Sequence, residues 1–376
     1  MARLWKVLIA LFALSLVAAA CGSDDGATVS SETTDDASDS ASASASEAAD
    51  EDADAMDDDA DAMDEDEEHS DDEESMDAMS DWPESLVFTL TPSQETGGLI
   101  ETAEPLAEML SERLGVPVEP LVPTDYAGVI VALDSGQAQI AGGLGPRQMV
   151  QAEEQAGAEL ILQAERFGSL LYVTQWFTND PDTFCADEPV ADEDGYLFCN
   201  GVLDAESAAD GPIGADQLAG LEGQTISFVD QGSTSGYAIP ALQLAQAGID
   251  PLDGVDGLFA GGHDNSVQAV YDGDAVVGVS YNDARGTIAE ANPDVGEQVV
   301  VFGWSGPIPN DGFAVAGDLP DDLVAAITDA FTDIASTEDG NALLSELYSI
   351  DDLVPVTSSD YDVIRELEVE LGDLLE

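Results

Sequence analysis

Three hydroxyl residues in a row, Ser233-Thr234-Ser235, stand between Gly232 and Gly236. Upstream, Thr225 to Val229 is β-branched or aromatic at most positions, the composition of a strand. Downstream, Pro240 is tolerated in a helix only in its first turn, so the spacing predicts a helix opening between Gly236 and Ile239. Ala241, Leu242, Leu244 and Ala245 give that helix one buried face. A strand, a hydroxyl-rich turn and a helix N-terminus together form an anion cradle, because the free N–H groups of the first turn and the short hydroxyls converge on negative charge. The same residues also make an ordinary N-cap, the commoner reason for Ser or Thr at that position.

His263 follows Gly261-Gly262 and precedes a predicted helix, Val267 to Tyr271, which Asp264 or Asn265 would cap. A lone histidine more often serves structure than ligand binding. Asp283 and Asp311 fall at the ends of predicted strands, but among 80 acidic residues neither is distinctive alone. Tyr126, Tyr172, Tyr237, Tyr281 and Trp304 sit at loop edges, where an aromatic belongs to core or surface more often than to a ligand cage. The pentapeptide Gly232 to Gly236 superficially resembles the nucleophile elbow of serine hydrolases. Its centre is Thr234, however, and His263 follows too closely, whereas that fold places its histidine late in the chain. These departures count against a serine hydrolase. Neither EF-hand spacing nor a histidine near the cysteines is present, so no metal and no cofactor are expected.

The chain has 376 residues, long enough for about two domains, and carries 80 acidic against 7 basic residues, a formal net charge of −73. Such a surface repels DNA, RNA and anionic lipid headgroups and excludes nucleic-acid binding. It suits a protein bathed in high salt, where screening shortens charge repulsion. Arg3 and Lys6, the apolar run Val7 to Val17, and Ala18-Ala19-Ala20-Cys21 read as a lipoprotein leader over residues 1–20, cleaved before a lipidated Cys21. The mature protein is then expected on the outer face of the bacterial cell membrane; a plain secretory leader that happens to precede a cysteine is the alternative, and both place the mature protein outside the cytoplasm. Residues 21–81 are a low-complexity acidic stretch, with runs such as Asp64-Glu65-Asp66-Glu67-Glu68, and read as a disordered tether. Two cysteines remain, Cys185 and Cys199; an exported pair this close in sequence predicts a disulfide.

The elements that must position these residues alternate. Leu86 to Leu90 reads as a strand, Glu101 to Leu114 as a helix stopped by Gly115, and Val116 to Leu121 as a strand. A helix from Tyr126 to Leu133, a strand at Gln139 to Ala141, a helix from Gly145-Pro146 to Ala156 and a strand at Leu160 to Gln163 follow. Ser169 to Phe177 reads as one long crossing strand, and three helices close the chain. The alternation predicts an α/β architecture with a largely parallel sheet.

Ser233-Thr234-Ser235-Gly236-Tyr237, Gly262-His263-Asp264-Asn265-Ser266-Val267, Ser280-Tyr281-Asn282-Asp283-Ala284 and Ile308-Pro309-Asn310-Asp311 together resemble the phosphate/phosphite/phosphonate substrate-binding proteins of ABC transporters. Thr124-Asp125-Tyr126 and Ala141-Gly142-Gly143-Leu144-Gly145-Pro146 fit the first lobe of that family. The resemblance implies a two-lobed periplasmic-binding-protein fold, type II-like, with two crossing strands. Residues 82–171 and 312–376 would form lobe 1 and residues 172–311 lobe 2, closing on ligand as a hinged trap. It further implies that Ser233, Thr234, Ser235 and His263 hold phosphonate oxygens, that Tyr126 and Tyr172 add phenol hydroxyls, and that Asp283 and Asp311 hold a ligand ammonium. The partners would be a small phosphonate, phosphite or phosphate, an ABC permease and its ATPase, and the membrane through the lipid anchor. A sulfonate or another oxyanion on the same fold is the alternative, and a serine hydrolase a remote one.

Overall fold

The computed structural model describes residues 81–375. The leader, Cys21 and the acidic stretch through Ser80 lie outside the described residues. The first part of the chain alternates: β1 (Leu86–Leu90), α1 (Thr96–Leu114), β2 (Val118–Leu121), α2 (Tyr126–Asp134), β3 (Ile140–Leu144), α3 (Pro146–Ala156) and β4 (Glu159–Glu165). α1 starts five residues before the expected Glu101 and stops where expected, at Gly115, whose left-handed φ of 71° a glycine adopts without strain. β5 (Leu171–Tyr172) and β6 (Thr174–Thr178) follow. The single strand expected from Ser169 to Phe177 is thus broken at Val173, whose N–H leaves the ladder and donates to Asn282 Oδ1 at 3.1 Å.

Next come β7 (Val190–Ala191), β8 (Leu197–Phe198), β9 (Thr225–Phe228), a π-helical turn (Thr234–Ala238) that runs into α4 (Ile239–Gln246), β10 (Asp256–Phe259), α5 (His263–Tyr271) and β11 (Val277–Tyr281). The chain finishes with β12 (Val300–Trp304), β13 (Ile308–Pro309), β14 (Gly312–Val315), α6 (Asp321–Ala335), α7 (Glu338–Tyr348), β15 (Asp352–Pro355) and α8 (Asp362–Leu375).

Six strands form one sheet in the order β15-β4-β14-β3-β1-β2, seven form a second in the order β10-β9-β11-β6-β12-β8-β7, and β5 pairs with β13 in a two-stranded ribbon. Where the sequence pattern predicts largely parallel pairing, both sheets are mixed. β1 is parallel to β2 and β3, and β9 is parallel to β10 and β11. β14, by contrast, is antiparallel to β3 and β4, and β6 is antiparallel to β11 and β12. The ribbon is the reason. The chain leaves the six-stranded sheet after β4, passes through β5, and inserts β6 into the middle of the seven-stranded sheet. It returns through β13 and inserts β14 into the middle of the six-stranded sheet. Each sheet therefore has a central strand delivered from the other, entering against its neighbours.

Alternating apolar positions bury one face of each strand. Leu86, Phe88 and Leu90 pack with Phe313 and Phe331 in one core, and Trp176, Phe228 and Phe302 anchor another. A third cluster joins Leu144 and Met149 to Ala238, Ala241, Ile364 and Leu367, so that α8 lies against both α3 and α4.

Cys185 and Cys199 are bonded, with Cα atoms 5.7 Å apart. They clip an insert that contains the β7–β8 hairpin and joins the second sheet through Phe198 beside Val301. A cross-link over 14 residues restricts the unfolded chain by about 3 kcal/mol. Urea unfolding of the Cys185→Ser/Cys199→Ser protein is expected to lose about that amount; an unchanged unfolding free energy would show that the cross-link contributes nothing.

Candidate functional site

The hydroxyl turn is built differently from a simple cap. Ser233 is the N-cap, and its Oγ accepts from Gly236 N at 3.0 Å. The helix begins at Thr234, ahead of the expected start. Its first turn is π-wound, with Ala238 N donating to Ser233 O at 3.0 Å. Pro240 has no N–H to give the Gly236 carbonyl, which accepts from Val229 N at 3.0 Å instead. Gly236 is required by the close approach of β9: a Cβ there would lie 2.4 Å from the Val229 side chain. Ser233, Thr234 and Ser235 are each 2% exposed, so all three are shielded from bulk water.

All eight residues that the family resemblance implies for ligand contact, Tyr126, Tyr172, Ser233, Thr234, Ser235, His263, Asp283 and Asp311, line one cavity of about 740 Å³. Tyr281 and Trp304 line it too; Tyr237 does not, and packs instead against Phe228 and Phe259. The walls come from both sheets. Tyr126 opens α2, where Asp125 caps the helix by accepting from Gly128 N at 2.8 Å. Gln148, fully buried, joins this wall together. It bonds the Thr91 hydroxyl at 3.1 Å, the Gly145 N–H at 3.1 Å and the Tyr126 carbonyl at 3.2 Å. Gly143, with φ of 63°, leaves room for the ring of Tyr348, which a Cβ would meet at 2.4 Å.

The two walls touch across the cleft. Thr234 Oγ1 accepts from Arg147 N at 2.9 Å, and the Arg147 guanidinium donates to Gln231 O. His263 N donates to Ser93 O at 2.9 Å. This last contact corrects the expected cap. α5 begins at His263 itself with Gly262 as its cap, so neither Asp264 nor Asn265 fills that role.

His263 is buried, with Nδ1 2.7 Å from Ser280 Oγ and its ring 4.7 Å from that of Tyr281. Burial, and then the Arg166 guanidinium, push its pKa down to about 3, so the imidazole is neutral near pH 7. Its Nε2 is the nitrogen left for the cavity. Burial raises the phenols of Tyr126, Tyr172 and Tyr348 far above the ordinary range and that of Tyr281 to about 12. All four remain O–H donors. The Tyr126 phenol faces Ser233, that of Tyr172 faces Ser235 and Thr234, and that of Tyr348 donates to Thr91 O at 2.9 Å.

Two arginines alter the expected electrostatics. Arg166 lines the cavity, and its Nη2 bonds Asp311 Oδ2 at 2.8 Å, while its buried Nε has no partner. Arg285, with no exposed surface, grips Asp283 through Nε at 3.0 and 3.1 Å and also donates to the carbonyls of Leu197 and Val299. Neither arginine was singled out by sequence pattern, nor were Thr91, Ser93, Asn310 and Tyr348. For Arg166 a signal existed: after Arg3 and Lys6 the chain holds only five basic residues, and this one directly follows β4.

The His263 environment sets a pH dependence. Between about pH 3 and its ordinary pKa of 6.5, the unfolded chain binds a proton at this residue that the folded chain refuses. Its contribution to stability is complete above about pH 6.5 and is lost progressively as pH falls. The melting temperature is expected to fall less steeply from pH 7 to pH 5 in His263→Gln than in the parent protein; equal slopes would mean that folded His263 takes the proton.

Comparison with known proteins agrees with this architecture. Residues 88–361 match the family model described as "ABC transporter, phosphonate, periplasmic substrate-binding protein". The phosphate-import protein PhnD of Mycolicibacterium smegmatis (strain ATCC 700084 / mc(2)155) is 25% identical over 300 residues, covering 76% of this chain and 85% of that one. Two solved structures share the fold. The binding-protein component of an ABC phosphonate transporter from Pseudomonas aeruginosa has a TM-score of 0.62 at 19% identity, covering 77% of this chain and 87% of its own. PhnD1 from Prochlorococcus marinus (MIT 9301), solved in complex with methylphosphonate, has a TM-score of 0.63 at 17% identity, covering 77% and 99%. The fold is that of a two-lobed periplasmic binding protein. The chain belongs to the family of phosphonate substrate-binding proteins of ABC transporters, components that capture solute outside the cytoplasm and are not enzymes.

Proposed function

We propose that the cleft captures a tetrahedral phosphorus oxyanion, a phosphonate, phosphite or phosphate, and delivers it to the permease and ATPase of an ABC importer. The observation that carries this reading is the meeting, in one cavity, of an arginine whose Nε lacks a partner with the N-terminal turn Ser233–Ser235. A helix N-terminus offers free N–H groups and a favourable dipole to an anion. Around it stand the hydroxyls of Ser233, Thr234 and Ser235, the protonated phenols of Tyr126 and Tyr172, and neutral His263. Fixed donors in a dry site hold an oxyanion more strongly than the same donors would in water. Arg166 engages one oxygen of Asp311, Oδ2. In this reading the carboxylate accepts a hydrogen bond from a protonated P–O–H group, which fully ionised sulfate cannot offer. The names of the Mycolicibacterium and Prochlorococcus relatives support the same ligand class.

Residues 82–171 with 312–376 and residues 172–311 act in this proposal as the two lobes of a hinged trap. Cys21, beyond the described residues, would carry the lipid that anchors the protein to the cell membrane. Cells expressing the chain are expected to incorporate labelled palmitate into it and to lose the label on Cys21→Ala; an unlabelled parent chain would refute the anchor.

Isothermal titration with phosphate, phosphite, methylphosphonate and sulfate tests the ligand. At least one phosphorus oxyanion is expected to bind at micromolar concentration or below and sulfate far more weakly. Ser235→Ala is expected to weaken the phosphorus ligand about tenfold, the loss of one hydrogen bond to a charged group, about 1.5 kcal/mol. Absence of binding to all three phosphorus compounds at millimolar concentration would refute the reading.

A further inference from the structure

Both carboxylates in the cavity wall are already matched. Asp311 faces Arg166 at 2.8 Å, with side chains 12% and 18% exposed for the arginine and the aspartate. Asp283 is held by three nitrogen-to-oxygen contacts from Arg285. Arg285 is itself caged. The rings of Tyr196 and Phe198, both inside the disulfide-clipped insert, lie 4.9 and 4.5 Å from its guanidinium carbon, and the Leu197 carbonyl accepts from its Nη1 at 2.9 Å. The insert therefore fixes a cation behind the cleft wall. A chain with five basic residues after its leader commits two of them here.

We infer that this cleft selects phosphorus oxyanions that carry no cationic group, with Arg166 and Arg285 as the specificity-determining residues. The inference rests on the phosphorus-oxyanion reading and narrows it. An ammonium group entering the cavity meets two neutral ion pairs in place of two free carboxylates, so it gives up its hydration for no net charge in return. It also meets the guanidinium of Arg166, a like charge on the cavity surface. A methyl group or a hydroxyl on phosphorus incurs neither penalty. The ligand class is thus phosphate, phosphite or a short uncharged alkylphosphonate, with aminoalkylphosphonates rejected. Arg285 acts through Asp283 and is a positioning residue; Arg166 lies in the cavity lining itself.

Competition titrations of the purified protein with methylphosphonate, phosphate and 2-aminoethylphosphonate test this. The parent protein is expected to bind methylphosphonate or phosphate at least tenfold more tightly than 2-aminoethylphosphonate. Arg166→Gln, which frees the Asp311 carboxylate, is expected to reduce that ratio at least fivefold, whereas Arg166→Lys retains it. If Arg166→Gln does not fold, Arg166→Gln/Asp311→Asn removes the pair without stranding a buried charge, and the ratio again falls. Equal or tighter binding of 2-aminoethylphosphonate by the parent protein overturns the inference and leaves the functional reading intact. An unchanged ratio in a folded variant that lacks Arg166 overturns the assignment to that residue. No binding to any of the three overturns the functional reading beneath it.

Discussion

Everything in this cleft depends on how the chain passes twice between two sheets. The ribbon of β5 and β13 pairs Tyr172 with Ile308 and Leu171 with Pro309. Asn310, fully buried, fastens it. Its amide donates to the carbonyls of Ala164 and Ser169 at 3.0 and 2.8 Å, its N–H to Leu170 O, and its carbonyl accepts from the Tyr361 hydroxyl at 2.9 Å. One residue thus joins the end of β4, the turn after it, the returning segment and the last helical region. The constraint is chemical as well as geometric. Arg166 and Asp311, neighbours of that junction, come from the outgoing and the returning segment, and their ion pair closes the same knot. These two cavity-lining residues sit beside a junction that several buried hydrogen bonds fix, which is what a pre-organised site requires.

Two kinds of polarity meet at the site, and burial sorts them. The buried phenols stay protonated and donate, because burial raises them, and the buried imidazole stays neutral, because burial lowers it. Charges are treated differently, since an unmatched charge away from water is far more expensive than an unmatched hydroxyl. The two aspartates accordingly each have an arginine, and Arg285 has further acceptors and two aromatic faces besides. The insert between Cys185 and Cys199, which looks like a decoration of the second sheet, belongs to this balance because Tyr196, Leu197 and Phe198 surround Arg285.

Much of the site was legible in sequence for local reasons. A strand, three hydroxyls between glycines and a proline-marked helix need only neighbouring residues to be recognised, and Ser233 to Ser235 lie where that pattern puts them. The start of the helix was not legible, because its first turn is π-wound, with Ala238 N reaching Ser233 O, and that winding is not marked by any residue spacing. The ion pairs were hidden for a larger reason. Arg166 meets Asp311 over 145 residues of sequence, and Arg285 is locked by an insert about 90 residues upstream. Asp283 read as a free carboxylate because its partner two residues away bends back on it, a geometry that no spacing rule encodes. The mixed sheets escaped for the same reason: local alternation predicts strands, whereas the direction of β6 and β14 is set by the crossing.

A chain of net charge −73 that belongs to a family of anion carriers presents an apparent contradiction, and distance resolves it. At physiological ionic strength the Debye length is about 8 Å, so acidic groups on the outer surface are largely screened from a ligand inside the cleft. The donors that line the cleft act at hydrogen-bond range, about 3 Å, where screening by salt is slight. The net field therefore governs how often an anion reaches the mouth, and the local array governs how long it stays. Acidity can then accumulate over the surface without eroding the site, provided that the carboxylates inside the cavity are neutralised. Arg166 and Arg285, two of the five basic residues after the leader, meet that condition.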